Sequence, residues 1–453
     1  METLLKKALE SARADYVEIR AERRATTQVA YVGRELEDIS DFTSFGGCVR
    51  ALAAGGWGFV SFNDFADLGR YVRLACEQAA MVGQGRSQLA QAPSGSEAAP
   101  ARPRVDPRQV PLAQKEELCR RYNELILAHD RIQTSSVRYR DSWVETAFAS
   151  TDGVSLRDEA LFCGVSVAAI AREGMNVQRA YKSVGDLRGY QIVEGLEADC
   201  EQVAERAIAL LSAAPVKGGR STVIIDPQLA GVFAHEAFGH LSEADFVYEN
   251  PQLLEIMQLG RRFGPDHLTI VDDPTLDGEA GSYRFDSEGT PGIRTELIKD
   301  GVLHSRLHSR ETAARMGEPP TGNARAINYQ YEPIVRMSNT YIEPRQWAFD
   351  DLLADTDEGL YVRGSLGGQT EMEMFTFSAQ DAFVIRKGRL AELVREVVLT
   401  GNVFETLANI DAVGSDLVFY GGLGGCGKNA QSPLRVSTGG PHIRIRNCLV
   451  GGR

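Results

Sequence analysis

Apolar positions recur at helical spacing over residues 4–12. They give way to loose period-two alternation in YVEIRAERRATTQVAYVGRELEDIS (16–40) and GGCVRALAAGGWGFVSF (46–62). Alternation sends successive side chains to opposite faces of a strand, and the intervening glycines supply turns, so two or three strands are predicted. DFADLGRYVRLACEQAAMV (64–82) returns to helical offsets behind an Asp placed to cap the first turn. Beyond residue 108 the two patterns resume. They are helical in 112–130 and 197–214 and strand-like in 132–150 and 163–184. The stretch between, 84–108, is rich in Gly, Ser, Ala and Pro. It holds too little large apolar surface to order itself, and an exposed loop is expected there.

From Thr222 the texture changes. A short apolar strand, TVIIDP (222–227), leads into GVFAHEAFGHLSEADF (231–246), and most of the chain beyond residue 246 is strand-like and broken by glycine. The expected fold class is therefore α+β: an N-terminal α/β domain over 1–215, then a β-rich domain over 216–453 carrying one buried helix with two histidines. A chain of 453 residues exceeds what one core ordinarily supports, which agrees with two domains.

Composition narrows the function classes. With 49 Lys and Arg against 62 Asp and Glu the formal charge is −13, which opposes wrapping nucleic acid or lying on an anionic membrane. No run reaches the roughly 18 apolar residues of a membrane span. The charged opening METLLKKALESARADYVEIR lacks the apolar core of a signal peptide. Seven scattered cysteines without a C-x-x-C pair read as reduced thiols, and a cytoplasmic location is expected.

The chemistry concentrates at His235, Glu236 and His240. In the H-E-x-x-H arrangement of zinc peptidases the histidines lie four apart, about 40° around the helix, and share a face. Five apart gives roughly 140°, so a regular α-helix turns the second imidazole away. A π-turn, with its i→i+5 bond, restores the alignment. A bulge or break is predicted within 237–240, with Gly239 supplying backbone freedom. Two imidazoles leave a zinc ion short of ligands, and three sources of a third stand out. Cys426 lies among glycines in GGLGGCGKNAQ, Glu243 or Asp245 comes shortly after the histidines, and His304 and His308 form another i,i+4 pair. Cys426 is favoured, because a thiolate binds zinc well. Glu236 is placed to take a proton from metal-bound water, and Glu243 or Asp245 to accept the far N–H of a ligand histidine. The acidic run 272–289 lacks the closing Glu of a calcium loop and reads as a surface loop.

STVIIDPQLAGVFAHEAFGHLSEAD, SEGTPGIRTELIKDGVL, GGLGGCGKNAQ and PHIRIRNCLVGG, in that order, resemble the TldD branch of the TldD/PmbA proteins, and the likeness extends to the DYVEIRAE opening. The 84–108 loop has no counterpart in it. The resemblance implies a metalloprotease in which His235, His240 and Cys426 hold one divalent metal, zinc above all, with Glu236 catalytic. It further implies unfolded or leader-type peptides as substrates and a PmbA/TldE-type partner subunit, with a homodimer as the alternative. An extended peptide can pair with a sheet edge. Thr370, Glu371, Met372, Glu373 and Met374 are the candidate edge. Two other readings stay open: a binding or regulatory subunit braced by metal, and a hydrolase using Cys426 as nucleophile.

Overall fold

The computed structural model describes residues 1–83, 85, 87–91 and 96–451. The chain is α+β. Its first half is built on a seven-stranded sheet. The strands are β1 (Tyr16–Val32), β2 (Glu35–Ala53), β3 (Gly56–Phe62), β4 (Ser96–Ala99), β5 (Ile132–Ser150), β6 (Ser155–Glu173) and β7 (Asn176–Asp186). The order is β3-β2-β1-β5-β6, with β4 and β7 both beside β6, and every pairing except β4–β6 is antiparallel. Helices α1 (Glu2–Leu9) and α2 (Leu68–Met81) bury Leu5, Val72 and Ala75 against Val17, Ile19 and Val49. Helices α3 (Leu112–Leu127) and α4 (Glu197–Ser212) bury Tyr122, Ile126 and Val203 against Val137, Tyr139 and Val165. The helix expected from residue 64 starts at Leu68, because the Asp67 carboxylate accepts the Arg70 N–H at 3.0 Å and ends the preceding turn.

Of the loop expected over 84–108, residues 84, 86 and 92–95 lie outside the described residues. The rest is less irregular than its composition suggests. β4 pairs in parallel with the start of β6, and Asp106 caps a short 3₁₀ turn at Pro107–Gln109. Main-chain pairing does there what apolar burial could not.

In the second half, five strands close on themselves into a barrel: Gly219–Ile225, Glu358–Glu371, Met374–Arg386, Val398–Asn402 and Ile443–Gly451. A six-stranded sheet centred on Ile270–Asp272 and Asn339–Ile342 packs beside it. Helix α5 (Pro227–Ala234) runs between the two, its N-terminus capped by Asp226, which accepts the Leu229 N–H at 2.8 Å. On one side Phe233 meets the barrel residues Phe375 and Phe377 edge-on, at 5.6 and 5.9 Å. On the other side the helix sits so close to strand Ser437–Gly440 that a Cβ on Gly231 would lie 2.6 Å from the Gly439 nitrogen. A helix that is apolar all round is thus satisfied on every face.

The acidic run 272–289 is not a surface loop. Asp272 and Glu288 are buried. Asp272 accepts the Ser338 N–H and the Ser338 and Thr340 hydroxyls at 2.7–2.9 Å, and Asp286 accepts the backbone N–H groups of Glu288, Thr290 and Ala324. These carboxylates serve as internal acceptors for irregular backbone, which is why they need no cation. Glu288 also ties the two halves together. Arg50 of β2 lies between Glu288 (2.6 Å) and Glu18 (3.3 Å) and stacks on Trp57. Arg50→Ala should leave two buried carboxylates unpaired and cost about 3–5 kcal/mol. The corresponding fall in the urea midpoint is the measurement; an unchanged midpoint would show that this ion cluster contributes nothing.

Candidate metal centre

His235 closes α5, and residues His235–Gly239 form a single π turn in which the His240 N–H donates to the His235 carbonyl. The distortion begins two residues earlier than the predicted window and does what the five-residue spacing requires. The two imidazole rings lie 5.3 Å apart, centroid to centroid, on one side of the segment. Gly239 is needed for a different reason from the one expected. Its φ of −54° and ψ of −53° are ordinary helical values open to any residue. A Cβ there would, however, fall 2.1 Å from the Met337 sulfur. Close packing selects the glycine.

Cys426 arrives from the far end of the chain on a two-stranded hairpin, Cys426–Lys428 with Gln431–Leu434. The fully buried Arg336 clamps that hairpin, donating to the carbonyls of Cys426 (2.8 Å) and Gln431 (3.2 Å). His235, His240 and Cys426 thereby each offer a donor atom within 4.8 Å of the others, and Cys426 Sγ stands 3.4 Å from His240 Nε2. One cation with bonds of about 2.1 Å to nitrogen and about 2.3 Å to sulfur fits between such atoms. The chemistry of the donors fits a metal as well. His235 Nδ1 is buried with no hydrogen-bond partner. Burial alone would raise the Cys426 thiol, but the charges and hydrogen bonds of His235 and His240 bring it down to about 4. A ready thiolate among imidazoles is a metal-binding environment.

Around this cluster the polar groups form a relay. Glu243, fully buried, accepts from His240 Nδ1 at 3.0 Å and lies 3.1 Å from Lys428 Nζ. Burial raises its carboxyl, but Lys428 and His240 outweigh that and hold it below the usual range. The anionic Glu243 thus fixes the His240 ring with Nε2 turned toward Cys426. Burial lowers His240, yet Glu243 and Cys426 push it well above the usual imidazole range, so metal uptake must displace a proton. Glu236 makes no hydrogen bond through its side chain among the described residues. Its Oε2 lies 3.8 Å from His240 Nε2, and burial raises its carboxyl against the opposing pull of His235 and His240.

Other predicted positions fall elsewhere. Asp245 touches neither histidine; it holds Lys428 Nζ at 2.7 and 2.8 Å and so stands one step further out than Glu243. His308 is buried against Thr312 and Glu318, outside the donor cluster, and His304 is exposed. Thr370 and Glu371 end a strand whose outer edge is unpaired beyond Val362, whereas Met372 and Glu373 form the turn. Met374 is not on an edge, because it faces Glu371 on one side and Asn402 on the other. Lys428, Arg336 and Met337 were missed. Period-two spacing in Cys426–Lys428 would have shown that Lys428 shares the face of Cys426. No local pattern marks the other two.

Two imidazoles and a thiolate beside an uncommitted carboxylate, on an α+β scaffold, are the equipment of a metallopeptidase. Comparison with known proteins agrees. The PmbA/TldA metallopeptidase C-terminal domain matches residues 218–452, the central domain 105–214 and domain 1 17–79. A metalloprotease of Synechocystis is 45% identical over 97% of this chain and 96% of its own length. A zinc metalloprotease TldD homolog of Saccharolobus solfataricus is 32% identical over 72% of each chain. Among solved structures, TldE of Thermococcus kodakarensis superposes with a TM-score of 0.78 at 17% identity over 100% of both chains, which shows the shared fold. The chain belongs to the TldD/PmbA family and is a metallopeptidase of it.

Gly239→Ala should cost about 1–3 kcal/mol by forcing Met337 aside. Met337→Ala in the same protein should recover part of that loss in thermal unfolding; no recovery would discount the packing argument. Glu243→Gln should weaken metal affinity by about 10–100-fold, read by competition with a chelating dye.

Proposed function

We propose that this chain is a zinc-dependent peptidase in which His235, His240 and Cys426 hold the metal and Glu236 moves the proton. The observation that carries the reading is the meeting of three metal-binding donors, from residues 235, 240 and 426, beside a carboxylate that accepts no hydrogen bond among the described residues. When bound, zinc supplies a Lewis acid and a water of lowered pKa. Glu236, its proton affinity raised by burial, accepts a proton at its carboxylate and returns it to the departing amine. Glu243 keeps the His240 ring fixed while this happens, and Lys428 keeps Glu243 ionised. The name of the S. solfataricus relative supports zinc.

Substrates in this reading are unfolded or leader-type peptides. They lie along the open edge that ends at Thr370 and Glu371, where main-chain hydrogen bonds give affinity without reading side chains. The likeness to TldE supports assembly with a TldE-type subunit, and a homodimer is the alternative. We place the protein in the cytoplasm and treat residues 1–215 and 216–453 as its two domains. Among the described residues no helix is long and apolar enough to cross a membrane.

One observation favours a second reading. A thiolate 3.4 Å from an imidazole is also the arrangement of a cysteine nucleophile. Cys426 is only 5% exposed, which restricts a substrate carbonyl more than it restricts an ion. Chelation separates the two, since it stops the metallopeptidase and spares the thiol enzyme.

Glu236→Gln should retain stoichiometric metal and lose about 10²–10⁴ in the rate of cleavage of a denatured, labelled polypeptide. Wild-type cleavage by that variant would remove Glu236 from the mechanism. Cys426→Ala should lose stoichiometric metal on elemental analysis; full retention would mean that the third ligand lies elsewhere.

A further inference from the structure

A second concentration of charge lines a cavity of about 360 Å³ between the N-terminal sheet and the C-terminal half. Arg20 and Arg24 of β1, Arg140 of β5, and Arg325 and Arg435 all face it. Among the described residues only Arg24 has a carboxylate within ion-pair distance, Glu22 at 2.9 Å. Arg20 donates to the Asn328 carbonyl at 2.9 Å, Arg325 to the carbonyls of Met337 and Arg435, and Arg435 to the Ser142 hydroxyl at 3.2 Å. Arg20 Nε is buried without an acceptor. The two remaining acids of the wall do not redress the balance. Asp286 is committed to backbone N–H groups, and burial lifts it well above the usual carboxylate range and lifts Asp158 to about 6. Burial, with Arg24 and Arg325 nearby, lowers Arg435 to about 9. Crowded guanidinium groups without counter-charges are costly to hold, and an anionic ligand is what would complete them.

The cavity adjoins the metal centre. Residues 422–424 line it and run directly into Gly425 and Cys426, and Leu434 of its wall is the cross-strand partner of Cys426. Arg325 donates to the carbonyl of Met337, the residue whose sulfur packs on Gly239. We propose that this cavity is a carboxylate-binding subsite for the peptide, taking an acidic side chain or the C-terminal carboxylate; the assignment rests on the peptidase reading above. Guanidinium forks match a planar carboxylate, the volume suits a few side chains, and the chain's charge of −13 opposes a polyanion.

Binding is read by fluorescence anisotropy on metal-loaded Glu236→Gln protein, so that turnover is not required. Four short unstructured peptides carry either Glu or Gln at one internal position and either a free or an amidated C-terminus. A carboxylate-bearing peptide should bind at least about tenfold more tightly than the peptide lacking both groups. A preference that tracks the Glu assigns an acidic side chain, and one that tracks the free terminus assigns the C-terminal carboxylate. The Arg140 side chain makes no hydrogen bond or ion pair of its own among the described residues, so Arg140→Gln should bring the ratio close to one, and Arg140→Lys should keep part of it. Equal affinities for all four peptides overturn the proposal without any arginine variant, and so does a ratio that Arg140→Gln leaves intact. Discrimination without cleavage by the wild-type protein would sink the peptidase reading and keep only the anion site; cleavage without discrimination would do the reverse.

Discussion

The hydrogen bond from the His240 N–H to the His235 carbonyl is the constraint on which the rest of the site depends. An i→i+5 closure adds one residue to a single turn and brings back onto one face two side chains that a regular helix would hold roughly 140° apart. Nothing in the five residues HEAFG compels that turn. It persists because the helix is gripped from both sides: Phe233 by the aromatic residues of the barrel, Gly231 by the backbone of the neighbouring sheet, and Gly239 by Met337. Each grip is close packing, which fixes position to a fraction of an ångström and leaves the turn no room to relax.

A second layer of order is electrostatic. His240, Glu243, Lys428 and Asp245 follow one another in a chain of polar contacts, and two of them, Glu243 and Lys428, are buried where an unpaired ion would be expensive. Glu243, held by Lys428, therefore orients the His240 imidazole. Glu236 stands outside that relay. Its carboxyl is raised by burial and accepts no hydrogen bond among the described residues, which suits the proton-transfer role proposed for it.

The same economy explains the acidic run 272–289, whose carboxylates bind backbone amides, and it makes the arginine cavity stand out. Arg50, by contrast, is buried between two carboxylates, Glu18 and Glu288. In the cavity beside Cys426 four of five guanidinium groups have no carboxylate in reach among the described residues. Guanidinium groups crowded together with so little counter-charge point to an anionic ligand.

The α+β class was legible in the amino-acid order, as were the strand and helix alternation of the first half and the trio His235, His240 and Cys426, whose donor atoms the fold brings together. Periodicity and donor chemistry are local properties, and the trio gained further from a family resemblance spread over four motifs. Glu243 was legible as one of two acids near the histidines; which of them reaches the ring was not, because that depends on how the chain leaves the π turn. The parallel strand at residues 96–99, the burial of Asp272 and Glu288, the packing role of Gly239, the double pairing of Met374, and the clamps Arg336 and Lys428 were decided only when separate segments met. Each of these depends on a partner in another element of the chain, and no pattern within one element records such a contact.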